Sequence, residues 1–266
     1  MPERHIPRKR FGQNFLKDQN VIEKIVRALH PEKGQNLVEI GAGLGALTKH
    51  VLALVDHLKV VEIDKDLSAK LQDVYPANKI TVFEADALRF DFATLCPAGT
   101  PKLRIFGNLP YNISTPLLFH LLSYASSIQD MLFMLQKEVV MRMAASAHTH
   151  EYGRLSIMIQ YVAKVHPIFD VSPHAFTPVP KVTSTVVQLI PYDNNRPHPL
   201  AQNEKLFSHL VTLAFSHRRK TLKNALEHLV SNDVFQSVGI DPIRRPETLS
   251  VAEFVALSDA VNSQTS

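Results

Sequence analysis

Leu37-Val38-Glu39-Ile40-Gly41-Ala42-Gly43-Leu44-Gly45 is the stretch that decides the fold. Four residues of strand character run into a loop with glycine at every second position. Apolar periodicity then resumes over residues 44–54 and predicts a helix. Strand, glycine turn and helix in that order open a βαβ unit, in which glycine lets the backbone turn tightly against a ligand. A dinucleotide fingerprint would read G-x-G-x-x-G, with a pyrophosphate at the helix N-terminus. Here the third glycine comes one residue early, and Glu39 stands two residues before Gly41. A carboxylate at that point repels phosphate and suits a ligand carrying an ammonium and a sulfonium. S-adenosyl-L-methionine is such a ligand.

The alternation continues outward from this unit. Residues 58–63, 79–83, 102–106 and 131–135 read as strands, and residues 65–74 and 117–122 as helices, with Pro116 tolerated in a first turn. Upstream, Asp18 is placed to cap a helix whose Val21, Ile22, Ile25, Val26 and Leu29 share one face. Beyond residue 164 two strands, 165–171 and 182–190, follow without a helix between them, which suggests an antiparallel closure of the sheet. Pro191 to Pro199 has the composition of a linker. After it come the stripes Leu206, Leu210, Leu213, Ala214 and Leu222, Leu226, Leu229, both helical in spacing. The expected architecture is α/β: a Rossmann-like, mostly parallel sheet with one antiparallel strand over residues 1–192, and a small all-helical domain over 193–266.

Chemistry-bearing residues fall at the strand ends. Glu62 closes the strand after the glycine loop, where a carboxylate accepts from ribose hydroxyls. Asp86 follows the next strand and is placed to accept from an adenine amine. The strand at 102–106 runs into Asn108-Leu109-Pro110-Tyr111. Asn108 and the Leu109 carbonyl offer acceptors to an exocyclic amine, Pro110 stiffens the turn and Tyr111 offers a stacking face.

Composition limits the alternatives. The 266 residues are 45% hydrophobic, enough for one large and one smaller core. Cys96 is the sole cysteine, which excludes an internal disulfide and a thiolate zinc cluster and fits a reducing cytoplasm. No apolar run reaches membrane-spanning length, and no apolar segment of signal-peptide type follows Arg8-Lys9-Arg10. His148 and His150 lack carboxylates at metal spacing, so no metal is expected. Net charge is +4, and it is uneven: residues 1–27 carry seven basic side chains against three acidic. A second basic cluster comprises Arg218, Arg219, Lys220 and Lys223, which suits a polyanion.

These residues resemble a known family, the small-subunit (16S) ribosomal RNA adenine dimethyltransferases. The resemblance runs nearly end to end. It covers residues 10–16, the glycine loop, Glu62-Ile63-Asp64, Asp86-Ala87, Gly107 to Asn112, Gln136-Lys137-Glu138-Val139, Gly153-Arg154-Leu155-Ser156, Phe176 to Val182, and Arg218 to Asn224. Ala42 departs from it, since the family often has proline there. The resemblance implies N6,N6-dimethylation of two adjacent adenosines in the 3′-terminal hairpin of small-subunit RNA, within an immature 30S particle. It implies S-adenosylmethionine contacts from Asn14, Leu16, Gly41, Gly43, Glu62, Asp86 and Asn108, with Asn14 and Leu16 carried by an arm over the pocket. Tyr111 and Phe176 are then expected to sandwich the target base. Arg218, Arg219, Lys220 and Lys223 are expected to hold phosphates, with Arg142, Arg154 and Lys181 extending that surface. A monomer is expected. The nearest rival is the large-subunit adenine N6-methyltransferase of macrolide resistance, disfavoured by the match over residues 215–224. A mainly non-catalytic ribosome assembly factor is the other.

Overall fold

The computed structural model describes residues 13–217 and 219–265. Arg8, Lys9 and Arg10 of the basic arm, and Arg218, lie outside the described residues. The described chain opens with a two-residue strand β1 (Phe15–Leu16) and helix α1 (Gln19–Leu29). Alternation follows through β2 (Asn36–Ile40), α2 (Thr48–Leu52), β3 (Leu58–Glu62), α3 (Lys65–Val74), β4 (Ile80–Glu84) and β5 (Leu103–Asn108). Next come α4 (Ser114–Leu122), β6 (Ile128–Gln136), α5 (Lys137–Ala144), α6 (Arg154–Gln160), β7 (Ala163–Val171), β8 (Phe176–Thr177) and β9 (Ser184–Pro191). The remainder is helical: α7 (Glu204–Ala214), α8 (Leu222–Ala225), α9 (Asn232–Ser237) and α10 (Val251–Thr265).

Seven strands form one sheet in the order β4-β3-β2-β5-β6-β9-β7. From β4 to β6 every pairing is parallel, and β9 runs antiparallel to β6. This is the Rossmann-like sheet expected. Its central strands are apolar runs, as parallel strands covered on both faces must be. The chain steps from β2 to β3 on one side, whereas β5 pairs on the other side of β2. Strand order reverses there, which opens a crevice beyond the C-terminal ends of β2 and β5.

Local chemistry explains the element ends. The Asp18 carboxylate accepts from the Val21 N–H at 3.2 Å and starts α1, whose Ile22, Ile25, Val26 and Leu29 are buried. At its other end the buried Arg104 donates to the Leu29 carbonyl at 2.7 Å and the His30 carbonyl at 3.1 Å. The same guanidinium forks onto Asp130 at 2.8 and 2.9 Å, which ties α1 to β5 and β6. The helix expected over 44–54 is shorter. Gly45 N–H bonds back to the Ala42 carbonyl, and this turn delays the helix to Thr48.

The chain forms two compact units, Met1–Val140 with Val165–Pro191, and Met141–Lys164 with Tyr192–Ser266. A boundary at 192 therefore misplaces residues 141–164. Ile157 and Tyr161 share an apolar core with Phe207, Leu210, Phe235 and Phe254, so α6 belongs with the C-terminal helices. No described helix is long and apolar enough to cross a membrane.

Candidate active site

A cavity of about 320 Å³ occupies the crevice of the sheet unit. That is a small-molecule volume. Four segments line it: residues 13–16 of the arm, the loop after β2, the ends of β3 and β4, and residues 108–113 after β5.

Three acids meet at this cavity. Glu39 is wholly buried, and the Thr48 hydroxyl donates to it at 2.7 Å. Burial pushes its carboxyl up to about 8, opposed by that hydrogen bond and reinforced by Glu62. Glu62 is also raised by burial, but the backbone N–H groups of Asp64, Gly43 and Ile63 oppose the shift. Gly43 N–H donates to its Oε2 and Asp64 N–H to its Oε1, both at 3.0 Å. The carboxylate thereby braces the glycine loop while it faces the cavity. Asp86 takes the Leu88 N–H at 3.0 Å, an Asx turn that fixes its direction. Gly43 has φ +58°, and a Cβ there would stand 3.2 Å from the Phe15 ring. Both backbone and arm therefore require glycine at that position.

On the far side of the cavity Asn108 ends β5. Its Nδ2 donates to the Asn14 carbonyl at 2.9 Å. Because a carbonyl can only accept, this bond settles the amide's orientation and leaves Oδ1 as the acceptor. Asn14 is brought there by β1, which pairs with β8 through Phe15↔Thr177 and Leu16↔Phe176. The Lys17 N–H adds a bond to the Ala175 carbonyl at 2.9 Å. Leu109 is committed through its N–H to the Met134 carbonyl at 3.3 Å. Tyr111 lines the cavity, and its hydroxyl lies 2.7 Å from Ser184 Oγ. A strand-end amide acceptor, a half-buried ring and a glycine loop with buried acids thus share one space.

Across this arrangement the family model for ribosomal RNA adenine dimethylase matches residues 4–263. The chain belongs to the ribosomal RNA adenine dimethylase family. This dimethylase is 54% identical, over 97% of its length and 93% of the relative's, to ribosomal RNA small subunit methyltransferase A of Acinetobacter baylyi. The same-named protein of Aromatoleum aromaticum is 52% identical over 97% of this chain and 95% of its own. A dimethyladenosine transferase from Plasmodium falciparum has a similar structure, with TM-score 0.76 and 27% identity over 91% of this chain and 95% of that one. The 23S rRNA methyltransferase ErmE shares the fold, with TM-score 0.68 and 22% identity over 94% of this chain and all of its own.

Of the expected site residues, the dimethylase structure brings Asn14, Leu16, Gly41, Gly43, Glu62, Asp86, Asn108, Leu109 and Tyr111 to the one cavity. Phe176 is the exception. It is fully buried in the apolar core with Ile22, Ala175 and Val186 and does not line the cavity. Its place in β8, paired with Leu16, gives its ring to the core beneath the arm. Sequence reasoning missed Ser184, and it read Glu39 only as a carboxylate, not as a wholly buried one. In the helical unit Arg219 and Lys223 are exposed, and Lys220 is half-buried with its ammonium 3.4 Å from the Asn224 carbonyl. Arg142 and Arg154 are exposed on the same unit, whereas Lys181 belongs to the sheet unit.

Proposed function

We propose that this dimethylase transfers methyl groups to N6 of two adjacent adenosines in the 3′-terminal hairpin of small-subunit ribosomal RNA, within an immature 30S particle. The product is N6,N6-dimethyladenosine. One observation carries the reading: the glycine loop with Glu39 and the Asn108–Tyr111 turn line a single cavity. S-adenosylmethionine supplies a methyl group on an electrophilic sulfonium. The donor set fits it, since a buried carboxylate at Glu39 rewards a cationic ligand, and Glu62 and Asp86 offer acceptors to hydroxyls and an amine.

The adenine N6 lone pair is delocalised into the ring, so the amine is a weak nucleophile. Asn108 Oδ1 and the Leu109 carbonyl accept its two hydrogens and favour a more tetrahedral nitrogen. Its lone pair is then held in line with the methyl, and positioning supplies most of the acceleration. No strong base is needed beforehand, because the proton becomes acidic only as the N–C bond forms and the sulfonium's S–C bond breaks to leave a thioether; the proton is then lost to solvent. Tyr111 stacks on one face of the flipped base. Arg218, Arg219, Lys220 and Lys223 contact phosphates from the helical unit, and Arg142 and Arg154 of the same unit extend that surface. We read the enzyme as a monomer of the cytoplasm, where its substrate, nascent ribosomal RNA, is assembled into particles.

The test is methyl transfer from labelled S-adenosylmethionine to immature small subunits, with large subunits and duplex DNA in parallel. Dimethyladenosine near the 3′ end of the small-subunit RNA is expected. Label only in the large subunit would move the protein to the resistance-type activity, and tight particle binding without transfer would make it an assembly factor.

A further inference from the structure

Tyr111 is fixed at two points. Its main chain is held in the turn: Ser114 Oγ donates to the Tyr111 carbonyl at 3.1 Å, and Ile113 N–H to the Pro110 carbonyl at 3.2 Å. Its ring is held elsewhere, by the 2.7 Å hydrogen bond between the phenol and Ser184 Oγ. Ser184 is fully buried and begins β9, where it pairs with Gln136 at the end of β6. On the other side of β6, Asn108 pairs with Met134. The ring therefore spans from the turn after β5 to a strand two places along the sheet. That strand end is itself braced. Lys137 N–H bonds the Thr183 carbonyl at 2.9 Å, and Thr185 Oγ1 donates to Asp170, which also pairs with Lys137.

Burial raises the Tyr111 phenol above its ordinary value, with the Ser184 bond opposing. The hydroxyl stays protonated at working pH, so its use is to be held rather than to move a proton. A stacking ring must sit at one height and tilt if the amine beside it is to meet a methyl in line. An error of about 1 Å in such placement costs roughly a hundredfold in rate.

We propose that Ser184 is a positioning residue: its hydroxyl anchors the Tyr111 ring at the cavity wall where the target base stacks. This rests on the reading of Tyr111 as the stacking surface. The anchor lies on a sheet strand, so ring and Asn108 are registered to neighbouring parts of one rigid frame.

The experiment is a double-mutant cycle on the full-length enzyme with immature small subunits, following kcat, KM, S-adenosylmethionine affinity and melting temperature. Ser184→Ala and Tyr111→Phe remove the same bond from opposite ends. Each should lower kcat about ten- to a hundredfold. Cofactor affinity and melting temperature should stay near those of the parent, and the double variant should be no worse than either single one. Ser184→Thr keeps a hydroxyl and should retain turnover if its melting temperature shows it folded. Tyr111→Ala should abolish transfer. Additive losses, or a Ser184→Ala loss that tracks a fall in melting temperature, would overturn the anchoring role. So would normal turnover of Ser184→Ala and Tyr111→Phe beside an inactive Tyr111→Ala, and there the stacking reading would survive. Normal turnover of Tyr111→Ala would remove the stacking reading and the anchor with it.

Discussion

Glu39 shows how one residue carries two statements. Its position two residues before the glycine loop was legible and pointed to a cationic ligand. Its complete burial, which pushes the carboxyl up to about 8, was not legible, because it depends on what packs around it. The consequence is a pH dependence of known sign. Below about pH 8 the carboxyl in the ligand-free protein is protonated, and a bound ammonium or sulfonium favours the ionised form. S-adenosylmethionine binding should therefore strengthen from pH 6 to 8, by at most about tenfold per unit, and release protons. Isothermal titration in buffers of different ionisation enthalpy reads both, and Glu39→Gln should flatten the profile. At Asn108 the outcome is sharper. On the proposed mechanism Asn108→Ala removes an acceptor for the target amine and should lower kcat by roughly 10²–10³ while the cofactor still binds. Single-turnover kinetics beside equilibrium binding separate the two effects.

Elements were legible where a periodicity runs long enough. The central strands are mostly apolar runs of five or more residues and α3 repeats every 3.6 residues, and the structure has them close to the positions read. Two-residue strands carry no such signal, so the β1–β8 ladder that sets the arm over the cavity was invisible from local pattern. Gly107 marks where two elements approach most closely. A Cβ there would lie 2.3 Å from the Ile40 carbonyl oxygen, on the neighbouring strand β2. Gly107→Ala should force β2 and β5 apart and cost about 1–3 kcal/mol or more. Because those strand ends carry the glycine loop and Asn108, activity should fall further than stability. Denaturant melts compared with turnover at 25 °C check this.

At the scale of the molecule, charge and division into units matter most. The net charge of +4 is modest, and the basic residues are clustered. Replacing Arg218, Arg219, Lys220 and Lys223 by alanine should weaken particle binding across sequences. The slope of log affinity against log salt should fall by roughly 0.7–0.9 for each phosphate that is no longer neutralised. Filter binding over a salt series measures it, and an unchanged slope would take these residues off the RNA. The helical unit that carries them reaches back to Met141, which no linker-like composition announced. The Pro191–Pro199 stretch reads as a boundary, yet residues 141–164 join the later helices because Tyr152, Ile157 and Tyr161 complete their core.

What the sequence by itself determined is whatever a few neighbouring residues encode. That includes the strand–glycine–helix start, the alternation of elements, the acids at strand ends, the Asn108–Tyr111 turn and the family they resemble. Only the tertiary structure decided which of these meet. The Asn14 carbonyl turns the Asn108 amide from 94 residues away, Ser184 reaches Tyr111 over 73, and Phe176 goes to the core instead of the cavity. Such meetings rest on close packing, in which many small dispersion and hydrogen-bond terms act together over the whole fold. No local pattern of residues records that sum.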